Sequence, residues 1–231
     1  RRPRPPTLAW RAARAAAAFP QPGRVPRGPS CPPTGPAARL DTLGDRFMYP
    51  LASRNFGDPE ALVVNHSVTS GSSVGIRWFE LRASANNLTI FQQGTYAPDS
   101  NYRWMGSIAQ DQAGDIGLGF SISGSSRHPG IHYTGRLAGD AAGTMAQGEG
   151  TVLDGAGSQT TNLSRWGDYS ALAVDPVDGC TFWHGNAYIP ATGPLNWTTR
   201  VAPVRFPPRG AAPPPPDLPT PAPPSTAPGP P

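Results

Sequence analysis

The chain has 231 residues, with 31 prolines, 27 glycines, no lysine, 19 arginines against 15 acids and a net charge of +4. No apolar run approaches the length of a membrane span, and two cysteines define neither a disulfide framework nor a metal site. Residues 1–40 carry eight arginines and no acid, whereas residues 41–206 carry 14 acids against 10 arginines; the part able to fold is mildly acidic, and no nucleic-acid partner is expected for it.

In chain order, residues 1–40 form an Arg/Pro/Ala-rich arm. Arg11 and Arg14 interrupt its apolar run TLAWRAARAAAAF, so it does not read as a secretory signal. Ten prolines lie in this arm and 13 in residues 207–231. Both segments have too little apolar surface to offset the entropy of ordering, and disorder is expected over 1–40 and over a proline-rich linker or tail at 209–231. That leaves 41–208 as the foldable domain.

Within this domain an arginine followed by an aromatic recurs at Arg46-Phe47, Arg103-Trp104 and Arg165-Trp166, 57 and 62 residues apart. Each pair opens a run, a turn rich in Gly, Asp or Pro, and a second run: RFMYPLASRNFGDPEALVVNHSV, RWMGSIAQDQAGDIGLGFSISG and RWGDYSALAVDPVDGCTFWHGNAYI. Asp-Gly and Asp-Pro pairs accept the dihedrals of short hairpin connections, so each unit starts with a β-hairpin. The first unit adds VGIRWFELR and LTIFQQGTY, the second GIHYTGRLAG and GTMAQGEGTVL, and the third WTTRVAPVRF alone. In VGIRWFELR, Ile76, Trp78 and Glu80 fall on one face and Arg77, Phe79 and Leu81 on the other.

No segment offers a capped helical stripe. The pattern predicts an all-β fold, a partial β-propeller of about three four-stranded antiparallel blades with disordered Pro-rich termini. Strands are expected near 107–110, 116–121, 170–174 and 180–184. A single β-sandwich is the competing architecture, and it gives no reason for the threefold repeat.

The run SRWGDYSALAVDPVDGCTFW, with NFGDPEALVVNHSV and QQGTYAPDSNYRWMGSIAQDQAGDIGLGFSISG, resembles the closing blades of a group of large secreted bacterial proteins with a sialidase-like, BNR-type β-propeller. The likeness covers about 41–206. It implies a secreted or extracellular location and makes the missing blades of a longer chain a partner; it carries no activity with it. It also implies a cysteine after the last strand to pair with Cys180, where this chain has Pro207 and Pro208. The sialidase Asp-box, Ser-x-Asp-x-Gly-x-Thr-Trp, is only loosely echoed by DPVDGCTFW.

On a propeller, the connections into each first strand and between second and third strands share the ligand face. That map places Arg46, Arg103 and Arg165 near the central channel, with Trp104, Trp166, Asp168 and Tyr169 beside them. Converging arginines clamp carboxylates or phosphates through paired N–H donors, as sialidases do. Recurring arginines also serve to brace a neighbouring blade's backbone, which is the arrangement expected for at least two of the three. Trp166, Asp168 and Tyr169 are then the foremost contacts for a carbohydrate or protein ligand.

His66, His128, His132 and His184 lack metal-ligand spacing and read as unrelated surface residues. Glu80 alternates within a strand and Glu149 sits in a glycine-rich run, so neither reads as an acid held in a cleft, and the acid pair of a glycosidase is not visible. Cys180 reads as a small buried hydrophobe within a strand. The expected function is an extracellular binding or structural propeller module without metal or cofactor. The alternative is a sialidase-like glycoside hydrolase acting on an anionic sugar, and the sequence leaves open whether the chain is an enzyme.

Overall fold

In the computed structural model, residues 24–26, 39–84, 87–161 and 164–206 are described. The disorder expected for 1–40 and 209–231 falls almost wholly on residues outside these. Every regular element among the described residues is a β-strand. Strands β1 (Arg24–Pro26) and β2 (Arg39–Asp41) pair as a short antiparallel ladder, and β2 is tied to the body where Asp41 N–H donates to the Ser164 carbonyl at 2.7 Å.

Three sheets follow in chain order. The first contains β3 (Ala52–Asn55), β4 (Glu60–Ser70), β5 (Ser73–Ser84) and β6 (Asn87–Tyr96). The second contains β7 (Tyr102–Gln110), β8 (Ile116–Ser123), β9 (Gly130–Arg136) and β10 (Glu149–Leu153). The third contains β11 (Ala171–Val174), β12 (Phe182–Tyr188) and β13 (Thr198–Val204). Within each sheet, strands consecutive in sequence are neighbours, and all pairs are antiparallel. The sheets do not close into a ring.

The first hairpins of the three units share a device that explains their turns. Asn55 Oδ1 accepts Gly57 N–H at 2.7 Å, Asp111 Oδ1 accepts Ala113 N–H at 2.8 Å, and Asp175 Oδ1 accepts Val177 N–H at 2.7 Å. A short side-chain carbonyl or carboxylate thus satisfies a backbone donor that the turn would otherwise leave without a partner. In the third unit a second aspartate extends the turn: Asp178 Oδ1 accepts Cys180 N–H at 2.8 Å and Thr181 N–H at 2.9 Å. This is why β12 begins at Phe182 and why Cys180, expected inside a strand, is a half-buried, unpaired turn residue.

The sheets stack face to face in chain order. Val63, Ile76 and Trp78 of the first sheet pack on Ile108, Ile116, Leu118, Phe120 and Ile122 of the second. On its opposite face the second sheet meets the third through Ala109, Leu172, Phe182 and Val204. Strand β8 shows how one sequence serves both contacts: its large residues alternate with Gly117 and Gly119, and the glycines leave room for Phe182 and His184 of β12. Complete burial of each large side chain contributes roughly 1.5–3 kcal/mol. The outer face of the third sheet stays open, with Trp183 and Val201 exposed.

Candidate functional site

Antiparallel meanders put the connections of each sheet alternately at its two ends. The connections entering the first strands (42–51, 97–101, 154–161 and 164–170) therefore lie at the same end as those joining second to third strands (71–72, 124–129, 189–197). Behind this end sits a core of Leu40, Met48, Val74, Trp104, Met105, Trp166 and Ile189. A bulge in β7 after Trp104, where Met105 takes a left-handed φ of 49°, lets Trp104 lie against Trp166 with ring centroids 5.7 Å apart. The indole of Trp166 donates to Ser121 Oγ at 3.0 Å, and Ser170 Oγ donates to the Met105 carbonyl at 2.6 Å. The segment RWGDYS is thereby fixed at both of its ends.

Above this base opens a cleft of roughly 640 Å³, lined among others by Tyr49, Arg165, Trp166, Asp168, Tyr169, Asn186, Trp197 and Arg200. Its floor is the outward face of the third sheet, where Ala171, Gly185, Ala187, Thr199 and Val201 present small or apolar groups. Tyr49 and Tyr169 meet edge to face at 6.3 Å, and both are more than half exposed, as is Trp197. The connection before Trp197 is pinned by backbone bonds: Ala156 and Gly157 N–H donate to the Ile189 carbonyl, and Gly193 N–H donates to the Ser158 carbonyl at 3.1 Å.

Arg165 is ion-paired with Asp168 at the rim. Arg46 Nε and Nη2 donate to both oxygens of Asp45 at 2.8 and 2.7 Å. This paired bond raises the arginine's pKa above its ordinary value and lowers that of Asp45, and the Tyr169 hydroxyl adds to the effect on Arg46. Three arginines (46, 165 and 200) thus stand near two carboxylates, giving the rim a cationic balance.

The structure separates the seven residues expected to form a site. Arg165, Trp166, Asp168 and Tyr169 line one cleft, Arg46 reaches Tyr169 beside it, and Trp104 supports it from behind. Arg103 does not belong. Its side chain is 1% exposed and is held by Asp99 at 2.7 and 3.0 Å, by Glu149 at 2.7 Å and by the Asn101 carbonyl. Burial alone disfavours its charge; the two carboxylates overcome that and leave its pKa above the ordinary value.

The bracing role is also corrected. The bonds of these guanidiniums go to nearby carboxylates and to the Asn101 carbonyl, and none of those is backbone of a neighbouring sheet.

Two further readings change. His66, His132 and His184 are buried and not surface residues. His132 bridges Glu149 Oε1 and Asp154 Oδ1, both at 2.9 Å, and the second oxygen of Glu149 takes Arg103. Burial favours the neutral form of Glu149, yet the bonds from His132 and Arg103 prevail and its pKa is lowered. Glu80, 1% exposed, does line a cleft, at the other end of the sheets.

Tyr49, Trp197, Asn186 and Arg200 were not anticipated at the site. The only signal for Trp197 is an aromatic directly before the last strand in PLNWTTR. Among the described residues no three His, Cys, Asp or Glu side chains are grouped to hold a metal ion, and no helix is long and apolar enough to cross a membrane. No family model, curated protein or solved structure matches the chain.

Proposed function

We propose that the chain is an extracellular β-propeller module that binds an acidic carbohydrate in the cleft of Tyr49, Arg165, Asp168, Tyr169 and Trp197. The observation that carries this reading is the composition of the cleft itself. Exposed aromatic rings offer flat apolar faces with polar edges, which suit sugar rings. Arginines around them supply directed donors for a carboxylate. The three consecutive meander sheets, stacked in chain order with repeated hairpin turns, support the propeller reading. The proline-rich segment after 206 and the likeness to secreted bacterial propellers support the location.

Two observations favour other roles. Arg46 and Arg165 flank one cleft, which suits the sialidase-like hydrolase. Against it, Asp168 is the single carboxylate lining the cleft among the described residues, is more than half exposed and is ion-paired to Arg165; a pair of carboxyl groups flanking the bond is the usual requirement. The open face bearing Trp183 and Val201 suits a structural role, as the seat of a further blade. Calorimetric titration with sialyllactose and with lactose, combined with an assay for released sialic acid, separates these. Binding of sialyllactose without turnover is expected. Turnover establishes the hydrolase, and absence of binding to either sugar leaves the structural role.

A further inference from the structure

We infer a second ligand site, for a neutral saccharide, between the first and second sheets at the end opposite the first cleft. A cavity of roughly 450 Å³ lies there, lined among others by Phe56, Glu80, Arg82, Phe91, Gln110 and Arg136. Phe56 comes from the β3–β4 turn, and the β7–β8 turn and the β9–β10 connection close the other side.

Two polar side chains in its wall, each more than nine-tenths buried, keep an atom without a partner: Arg136 Nε, a donor, and Gln110 Oε1, an acceptor. The rest of each side chain is anchored, Gln110 Nε2 on the Gly114 carbonyl at 3.2 Å and Arg136 Nη2 on the Asp140 carbonyl at 2.7 Å. Buried polar atoms in native proteins are nearly always paired, so one unmet donor and one unmet acceptor in the wall of one cavity ask for a group that offers both senses. A hydroxyl does so, and neighbouring hydroxyls do so twice.

The charges decide against an ionic ligand. Glu80 takes Arg82 Nε at 2.7 Å and Gln92 Nε2 at 2.6 Å, so its carboxylate is already compensated. Arg136 is bonded to the Asp140 carbonyl and Asp140 Oδ2 accepts Gln147 Nε2 at 2.8 Å, and the four charged lining residues, Glu80, Arg82, Arg136 and Asp140, sum to no net charge. Phe56 and Phe91 are 43% and 56% exposed and present apolar ring surface to the cavity mouth. The Arg82 guanidinium lies 3.9 Å over the Phe91 ring and holds it in place. Hydroxyls for the polar wall, an apolar ring face for the phenylalanines and no charge together describe a neutral sugar. The inference does not depend on the proposed function of the first cleft.

Saturation-transfer NMR on the full chain tests it, with methyl β-D-galactopyranoside, methyl β-D-glucopyranoside and methyl α-D-mannopyranoside as probes and N-acetylneuraminic acid as the charged comparison. At least one neutral glycoside is expected to bind. Phe91→Ala and Gln110→Met should each weaken it about tenfold, the loss of one well-placed contact, whereas Tyr169→Ala leaves it unchanged. Phe91 is exposed, so its variant keeps the fold even where Gln110→Met does not. Failure of all three neutral probes, binding that survives Phe91→Ala, or binding abolished by Tyr169→Ala overturns the inference.

Discussion

Gly119 of β8 lies against the buried imidazole of His184 of β12: a methyl group built on Gly119 would stand 2.6 Å from His184 Cδ2. The second and third sheets approach this closely because a glycine faces a ring. Gly119→Ala is therefore expected to destabilise the protein by about 1–3 kcal/mol through overpacking, since the ring is enclosed and has nowhere to move. Urea unfolding of the variant beside the wild type measures the loss.

The same burial makes stability depend on pH. Desolvation pushes His184 down to about 4, and desolvation with the nearby charge of Arg77 pushes His66 down to about 4. Both are neutral in the folded chain, while the unfolded chain takes up protons near pH 6.5. Between about 6.5 and 4 the unfolded state binds more protons, so stability falls as pH falls through that window, by up to about 3 kcal/mol per histidine. Below it a second loss begins, as Asp99 and Glu149, whose pKa values are lowered in the fold, become protonated. Urea midpoints from pH 7.5 to 4 should be flat above 6.5 and then drop, and His184→Phe should flatten part of the drop.

How much of this was legible in the sequence varies by element. The hairpins were, because Asn55, Asp111 and Asp175 are turn chemistry read from residue type and flanking apolar runs. The two faces of β5 were legible for the same reason, from the strict alternation of Ile76 and Trp78 with Phe79 and Leu81. The cleft was half legible: RWGDYS stood out, but Trp197 and Arg200 reach it only through the pairing of β13 with β12, and Tyr49 only through the stacking of sheets. Arg103 was misplaced because a repeated Arg-aromatic pair does not show where each copy points. The acids that capture it, Asp99 and Glu149, lie four residues before it and 46 after it, and the sequence does not pair residues across a sheet.

Arg103→Met should reveal a structural residue. Removing the cationic partner leaves Glu149 and Asp99 without their counterpart, at a cost of about 3–5 kcal/mol. Thermal unfolding should register that loss, while binding at the aromatic cleft, measured below the lowered melting temperature, stays within twofold of wild type.

Asp111 offers a test of the repeated turn. Its Oδ1 accepts Ala113 N–H at 2.8 Å and Asp115 N–H at 2.9 Å, and the residue is buried. Asp111→Ala should cost about 1–2 kcal/mol and accelerate amide exchange at residues 111–116, with Asp111→Asn recovering much of the protection. Equal exchange in all three proteins contradicts a role for the side chain in closing the hairpin.

The most direct test of the account is a glycan array probed side by side with the wild type and the Tyr169→Ala/Trp197→Ala double variant. Both rings are more than half exposed, so the double variant keeps the fold while losing the two rings proposed to receive the sugar. The account predicts wild-type retention on glycans bearing a carboxylate, drawn by Arg46, Arg165 and Arg200, and loss of that retention in the double variant at unchanged melting temperature. No retained acidic glycan, or equal retention by the two proteins, contradicts it.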